Sequence, residues 1–286
     1  MQGMNKELET AIMTAADLPT IPVVAIKVME LIESDTATAE ELAKIVSSDP
    51  AVAARVLKIS NSSFYGCRRQ IQTLSGAIMI LGFSTLRSLV VAASVKQVYK
   101  PYGLTEKMLW EHSFAAGLAA KIIANRTRAA NEEEAFLAGL FHDIGKIIMN
   151  TLDRNKFQEV MQHCYNEGIS FGQAEKGVYP FTHDEVGAHV IKKWNFPEVL
   201  TTAILQHHKL EFTELDDPSV VNLTAVTALA DLFCLKLGIG VREPQDGLDI
   251  AGSKAGQILG ITGENAALLL ETFDRAFQED RALFTS

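Results

Sequence analysis

Residues 136–149 form an apolar stretch with three polar groups at its centre: Phe136-Leu-Ala-Gly-Leu-Phe141, then His142-Asp143, then Ile144-Gly-Lys146, then Ile147-Ile-Met149. The apolar residues indicate a helical segment that is buried in the core. Charged groups in such a segment are costly unless they are paired or bind a metal. Lys146 lies one helical turn after His142, from where it could contact an anionic phosphate or orient Asp143. The stretch therefore predicts a helical fold with a candidate site inside it.

Apolar residues recur at helical spacing through most of the chain. The first stripe consists of Val24, Val28, Leu31 and Ile32. Helix starts are marked by a capping box at Thr38 and Glu41 and by Asp-Pro pairs at 49–50 and 217–218. No stretch shows a convincing period-two alternation of apolar and polar residues, which would indicate a strand. The segment 89–95 is β-branched, but its alanines make a buried helix as good an interpretation as a strand. We predict an all-α protein, a multi-helix bundle with short connections.

A boundary near Lys100-Pro101 divides the chain. All seven histidines follow this boundary, the first being His112, so the second segment is where we expect any chemistry. The predicted organisation is an N-terminal helical subdomain over residues 15–100, a helical bundle with the candidate site over 101–236, and a C-terminal extension over 237–286.

The C-terminal extension is predicted to begin with a loop. Glycines and a proline between Gly238 and Gly256 favour loop structure with one short helix. A last amphipathic helix is predicted over residues 264–279, and its spacing places Leu268, Leu269 and Phe273 inward.

The composition is that of an ordinary globular chain, since 48% apolar and 21% charged residues exclude disorder and coiled coil as descriptions of the whole. The net charge of −9 disfavours nucleic-acid binding, and Arg68-Arg69 is too short for a basic patch. The three cysteines lie far apart and form no CxxC pair, which fits a reducing cytoplasm. Residues 1–9 lack a signal-peptide pattern, and the longest uncharged stretch, 70–86, falls short of a membrane span. We expect a soluble cytoplasmic protein without a nucleic-acid or membrane partner.

Seven residues of the second segment are candidate metal ligands, because imidazole and carboxylate suit Fe, Mn, Zn or Co. They are His112, His142, Asp143, His183, His207, His208 and Asp231. Taken singly, each is more often a satisfied core residue or helix cap than a ligand, and spacing alone does not assemble the set. An aspartate between two metal ions can bridge them, and two bridged ions can hydrolyse a phosphoester. His163 is left out because it has no partner motif, and His189 because, six positions after His183, it would lie on a different helix face.

In this order, the seven residues resemble the HD superfamily of metal-dependent phosphohydrolases, and within it the dinuclear HD-GYP phosphodiesterases. The resemblance implies two divalent ions, with Fe or Mn favoured and Zn or Co as alternatives. One ion would be held by His112, His142, Asp143 and Asp231, and Asp143 would bridge to a second held by His183, His207 and His208. Asp143 and Lys146 would be the catalytic residues. The Gly-Tyr-Pro motif of HD-GYP proteins is absent after His208, which removes the main reason to propose cyclic di-GMP as substrate.

A second set of motifs resembles a narrower family, the HDOD proteins, which carry an HD-related output domain of bacterial signalling. The motifs are Leu18-Pro-Thr-Ile-Pro22, Glu41-Leu-Ala43, Asp49-Pro50, Leu57-Lys-Ile-Ser-Asn61-Ser62, Ala77-Ile-Met-Ile-Leu81-Gly82, Gly187-Ala188 and Trp194-Asn-Phe-Pro197. The resemblance implies an HD-domain-like core with an N-terminal helical subdomain. Most HDOD proteins are taken as non-catalytic because many have lost metal ligands, whereas this chain retains the set.

Two functional hypotheses follow from these resemblances. In the first, the protein is a signalling protein whose dinuclear centre hydrolyses a small phosphoester or a nucleotide. In the second, the metal site is vestigial or structural, and the N-terminal helices bind a signalling partner, with Asn61-Ser62-Ser63 as a candidate contact. Caps and turns use the same three residue types, so this contact is the weaker observation.

Overall fold

The computed structural model describes residues 21–32, 37–66, 70–99, 103–213, 216–241 and 243–285. The N-terminal helices of these ranges are short, and two 3₁₀ turns, Ser63–Tyr65 and Lys96–Tyr99, follow the third and the fifth. These helices are α1 (Val23–Ile32), α2 (Ala39–Ser47), α3 (Pro50–Ser60), α4 (Leu74–Leu81) and α5 (Phe83–Val95).

The rest of the described chain is helical as well. Its helices are α6 (Leu104–Thr127), α7 (Glu132–Phe141), α8 (Ile144–Leu152), α9 (Arg154–Glu167), α10 (Phe171–Val178), α11 (His183–Lys193), α12 (Glu198–Gln206), α13 (Pro218–Leu237), α14 (Lys254–Ile258) and α15 (Gly263–Thr285). The described residues include no strand, so the all-α prediction is confirmed. The segment 89–95 lies in α5 and is buried, which resolves the alternative left open by its β-branched residues.

The predicted helix starts agree with the observed caps. The Thr38 side chain accepts from the Glu41 backbone, and the Glu41 carboxylate accepts from Thr38 in return. The carboxylates of Asp49 and Asp217 accept backbone N–H groups at the starts of α3 and α13, each with proline in the first turn. These caps satisfy donors that a helix cannot satisfy internally, which is why local sequence predicts them.

The centre of the fold is the pair α6 and α7, with α13 packed on both. A Cβ at Gly139 of α7 would overlap the backbone of Ala116 in α6, so glycine permits the two helices to approach this closely. Helix α13 is long and apolar enough to span a membrane by length and composition, but most of that apolar window is buried inside the protein. It is therefore a core helix here.

The remaining helices surround this centre and bring the site elements together. Helix α11 packs on α8 and α12, and α12 packs on α13. On the other side, α1 and α3 pack on α5, which contacts α7. Helix α15 lies along α6, and Ser63 donates to Glu279 of α15. One apolar core contains residues from all three predicted segments, so the N-terminal helices and the C-terminal extension both support the bundle.

The last helix departs from the prediction at one position. Leu269 and Phe273 are buried as expected, but Leu268 is 46% exposed, so its inward placement was wrong. A step of one residue turns a helix by about 100°, and here this turn places Leu268 on the solvent side of the stripe that contains Leu269 and Phe273. The loop from Gly238 and the short helix α14 match the expectation for the extension.

Some predictions fall on residues outside the described ranges. These are the boundary at Lys100-Pro101, the pair Arg68-Arg69, Cys67 and most of the motif at 18–22. The side chain of Ile32 is outside the description too, and Leu31 of the same stripe is half-buried. The division into three segments remains a prediction.

Candidate metal centre

The seven candidate ligands, which lie on five separate stretches of the chain, converge in the structure. His112 is in the middle of α6, His142-Asp143 form the break between α7 and α8, His183 opens α11, His207-His208 follow α12, and Asp231 is in α13. They form two adjoining groups in which ligand atoms lie within 4.8 Å of one another. One group is His112, His142 and Asp231, and the other is Asp143, His183, His207 and His208.

Nearly all of this cluster is shielded from water. His142, Asp143 and His183 are at most 2% exposed. His208 is the exception, because it is exposed at the wall of the adjoining cleft. Three buried members of the cluster, His112, Asp143 and Asp231, also line this cleft, so a ligand in the cleft lies next to the cluster.

The two oxygens of Asp143 face different groups. Oδ2 lies 3.5 Å from Nε2 of His112 and 3.4 Å from Nε2 of His142. Oδ1 lies 3.3 Å from Nε2 of His183 in the other group. The carboxylate therefore lies between the two groups and presents one oxygen to each, which is the geometry a bridging ligand requires.

Four histidines are held by their Nδ1 atoms, so their Nε2 atoms face the cluster. In three of them Nδ1 lies next to a backbone carbonyl. The distance is 2.9 Å from His112 to Ile239, 2.7 Å from His142 to Gly139 and 2.6 Å from His207 to Ile204. Because a carbonyl only accepts, each Nδ1 carries the proton, and Nε2 of a neutral ring presents a lone pair. Nδ1 of His183 lies 2.8 Å from Oε2 of Glu175. Metal-binding histidines use this same arrangement.

Local structure explains how two of these side chains reach the centre. His142 and Asp143 lie in a turn that separates α7 from α8, so both can point to the same side. A Cβ at Gly145 would overlap the backbone carbonyl of His183, so glycine lets the start of α11 lie against α8. His112 is held from the C-terminal extension, since the carbonyl of Ile239 accepts from it.

The residues fit a pair of metal ions. Among buried side-chain atoms of the described residues, Nε2 of His142, Oδ1 of Asp143 and Nε2 of His207 make no hydrogen bond. Such orphaned atoms are costly, and three of them facing one cluster call for a ligand. Two atoms that each bind one ion at about 2.1 Å lie about 3.0–3.4 Å apart. The separations of 3.1 Å between His112 and Asp231, 3.4 Å between His142 and Asp143 and 3.3 Å between His183 and Asp143 lie in this range. That between His142 and Asp231, 3.8 Å, is longer.

The electrostatics of the cluster favour the ligand form at Asp143 and His207. Burial alone would raise the pKa of Asp143, but His142, Lys146 and His183 hold that pKa well below its ordinary value. Burial lowers the pKa of His207 to about 3, so its ring is neutral at pH 7. Burial favours the neutral ring of His142, but the charge of Asp143 opposes this effect, and the pKa of His142 is raised. A proton held there between carboxylates is one that a metal ion would displace.

Lys146 is directed at the carboxylate. Its Nζ donates to Oδ2 of Asp143 at 2.6 Å and lies 4.4 Å from the ring centre of Phe171. The ammonium therefore contacts Asp143, the partner that the sequence suggested for one of its two roles. A cleft of about 1240 Å³ adjoins the centre, and its wall includes Lys146, His208 and Lys176.

Sequence reasoning missed two contributors. Glu175 is fully buried in α10 and bonds His183, and Ile239 provides the carbonyl for His112. A glutamate eight residues before a histidine carries no motif signal, since the contact depends on how two helices pack. The side chain of His163, which was left out of the candidate set, is 43% exposed and pairs with Glu167.

Fold and site together define a protein that is helical over its described residues, with a buried histidine–aspartate cluster among its central helices. Residues 18–210 match the family model of the HDOD domain, and they make up most of the chain. The protein belongs to the HDOD family.

A curated protein and a solved structure are similar to this chain. An uncharacterized protein of Treponema pallidum (strain Nichols) is 23% identical over 204 residues, which are 68% of this chain and 38% of that protein. This chain thus spans well under half the length of that curated relative. A crystal structure of an HDOD domain protein with unknown function from Geobacter sulfurreducens has a TM-score of 0.81 at 26% identity, covering 98% of this chain and 97% of that chain.

Two further solved structures share the fold at lower identity. A Shewanella amazonensis protein named "Putative phosphohydrolase" has a TM-score of 0.74 at 20% identity, covering 96% of both chains. A Marinobacter aquaeolei protein named "Putative signal transduction protein" has a TM-score of 0.68 at 20% identity, covering 97% of this chain and 63% of that chain. At these identities the likeness concerns the fold alone.

Proposed function

We propose that this HDOD protein is a bacterial signalling protein with a dinuclear metal centre that hydrolyses a phosphoester. The observation that carries the proposal is the position of Asp143, whose two oxygens face two separate groups of histidine nitrogens. Three orphaned buried atoms in the same cluster support it. The names of two relatives, a phosphohydrolase and a signal transduction protein, are consistent with both halves of the proposal.

The proposed first metal position consists of His112, His142, Asp231 and Oδ2 of Asp143. The second consists of His183, His207, His208 and Oδ1 of Asp143. Divalent Fe or Mn is favoured, with Zn and Co as alternatives, because the donors are imidazole nitrogens and carboxylate oxygens. Bound there, two such ions supply a hydroxide nucleophile at neutral pH and Lewis acidity toward phosphoryl oxygens.

The protein's own residues prepare the site for an anionic ligand. Lys146 holds Asp143 in its bridging orientation through the 2.6 Å contact, so we assign it a positioning role. His208 is open to the cleft, which gives a ligand access to the second position. The cleft of about 1240 Å³ is large enough for a nucleotide or another small phosphoester.

The test is hydrolysis by protein reconstituted with Mn²⁺ or Fe²⁺, on a generic aryl phosphodiester and on a panel of nucleotides. Turnover that disappears in Asp143→Ala and persists in the exposed-histidine variant His163→Ala is the expected result. Absence of turnover with fully loaded wild-type protein on every substrate would contradict the catalytic part of the proposal.

A second candidate function is a non-catalytic module that binds a protein partner. The observation that favours it is on α4, where Met79 is 79% exposed and Ile80 is 57% exposed. Neighbouring exposed apolar residues are typical of interaction sites. The candidate contact Asn61 is less suited, because its side chain bonds the backbone of Ile71 in both directions at 2.7 and 2.8 Å. A partner captured by wild type and by Asp143→Ala, but not by Met79→Ser/Ile80→Ser, would favour the module.

Location in the cytoplasm is part of the proposal. Two observations support it. Cys164 and Cys234 are free and buried. The single described helix that is apolar enough to cross a membrane is mostly buried inside the protein. A fractionation experiment with tagged protein tests it, and recovery in the membrane pellet would contradict it.

A further inference from the structure

The two proposed metal positions differ in the groups that support them. In the first position, His112 and His142 donate their Nδ1 protons to backbone carbonyls, which are neutral. In the second position, His207 does the same, but His183 faces a carboxylate. Among the cluster histidines whose Nδ1 contacts the structure gives, His183 is the one supported by a charged group.

Glu175 is built into this contact. Its Oε2 accepts from the backbone N–H of His183 at 3.0 Å and lies 2.8 Å from Nδ1, while Oε1 lies 2.9 Å from the same Nδ1. The side chain is fully buried. A backbone N–H can only donate, so the carboxylate accepts, and it fixes the ring of His183 with the Nε2 lone pair toward the cluster.

The two positions also differ in charge. The first has two carboxylates, Asp231 and Oδ2 of Asp143, whereas the second has Oδ1 of Asp143 and otherwise neutral imidazoles. A divalent cation in the second position therefore meets less compensating charge. Glu175 places a further negative charge one imidazole ring away from it. Asp184, the neighbouring buried carboxylate, is paired with Lys209 instead.

We propose that Glu175 is the positioning residue that determines occupancy of the second metal position, by holding His183 and by adding the charge that this position lacks. This inference rests on the proposed dinuclear centre. Outer carboxylates of this kind contribute about 10–100-fold to metal affinity. Loss of Glu175 is therefore expected to weaken binding at one position and leave the other unchanged.

The location of Glu175 also links the metal centre to the cleft. Helix α10 presents Phe171, Gln173 and Lys176 to the cleft while Glu175 of the same two turns contacts His183. One short helix thus contacts both the cleft and the second metal position.

The experiment is titration of chelator-treated protein with Mn²⁺, following free Mn²⁺ by electron paramagnetic resonance. Wild type is expected to bind in two steps. Glu175→Gln preserves the size of the side chain, and its melting temperature is measured first and expected to equal that of wild type. This variant is expected to retain one step and weaken the other about 10–100-fold. Asp184→Asn is the matched control, since it removes a neighbouring buried charge that pairs with Lys209, and both of its steps should equal those of wild type.

A double variant separates this role from general stability. Because Glu175 acts through His183, adding Glu175→Gln to His183→Gln should weaken the second step no further. Four outcomes would each overturn the inference. They are two unchanged steps in Glu175→Gln, equal weakening in Asp184→Asn, additive weakening in the double variant, and failure of Glu175→Gln to fold. Absence of Mn²⁺ binding by wild type would instead refute the dinuclear centre itself, and the inference with it.

Discussion

In the metal-free protein, removal of the Asp143 carboxylate is the most informative perturbation. Asp143 is 2% exposed, and its Oδ2 pairs with the ammonium of Lys146, itself 8% exposed, at 2.6 Å. In Asp143→Ala the lysine charge stays buried without its partner. Breaking a buried ion pair from one side lowers the free energy of unfolding by about 3–5 kcal/mol. We expect a loss of that size in chelator-treated protein.

Removing both charges should cost much less. Replacement of a buried pair by apolar groups of similar volume is often close to neutral. The double variant Asp143→Ala/Lys146→Met is therefore expected to regain most of the lost stability, although it binds no metal. The assay is urea unfolding followed by circular dichroism, with EDTA present and the slope of each transition compared. A single variant within about 0.5 kcal/mol of wild type, or a double variant as unstable as the single, would refute the ion-pair reasoning.

Other predictions concern pH, packing and one close contact. The pKa of His207 is about 3 in the folded protein and near 6.5 in the unfolded chain, so between these pH values the unfolded chain binds a proton that the folded protein does not. The stability of metal-free protein should therefore fall as the pH drops below about 6.5, and it should fall less in His207→Gln. Thermal melts between pH 7.5 and 4.5 measure this difference. Gly145→Ala should destabilise by at least about 1–3 kcal/mol, because its Cβ overlaps the His183 carbonyl, and unfolding within error of wild type would contradict this. Phe273→Ala should lower the free energy of unfolding by about 3–5 kcal/mol and Leu268→Ala by far less, because Phe273 is buried and Leu268 is not. Equal losses would show that the assignment of the buried face of α15 is wrong.

The predictions that held depend on local chemistry. A capping box at Thr38 or an Asp-Pro pair at 217–218 acts within one turn of helix, so a short stretch of sequence contains all the atoms involved. Leu268 shows the limit of this reasoning, because a helical stripe defines a face only to within one residue until its neighbours are known. Its exposure follows from how α15 lies on α6.

The candidate ligands were predictable because imidazole and carboxylate groups stand out in apolar helices, and because their order resembles a known superfamily. Spacing alone could not show that Asp143 presents one oxygen to each group, since this depends on five stretches meeting in space. Glu175 and the carbonyl of Ile239 were missed for the same reason. A backbone carbonyl has no sequence signature, and a glutamate acquires its role only where α10 meets α11.

The most direct test of the account is the metal content of the wild-type protein, measured by elemental analysis after purification without chelator and again after reconstitution with Fe²⁺ or Mn²⁺. The account predicts about two equivalents, lost in Asp143→Ala and retained in the exposed-histidine variant His163→Ala. No bound metal after reconstitution would contradict the central claim that Asp143 and the five clustered histidines form a dinuclear centre.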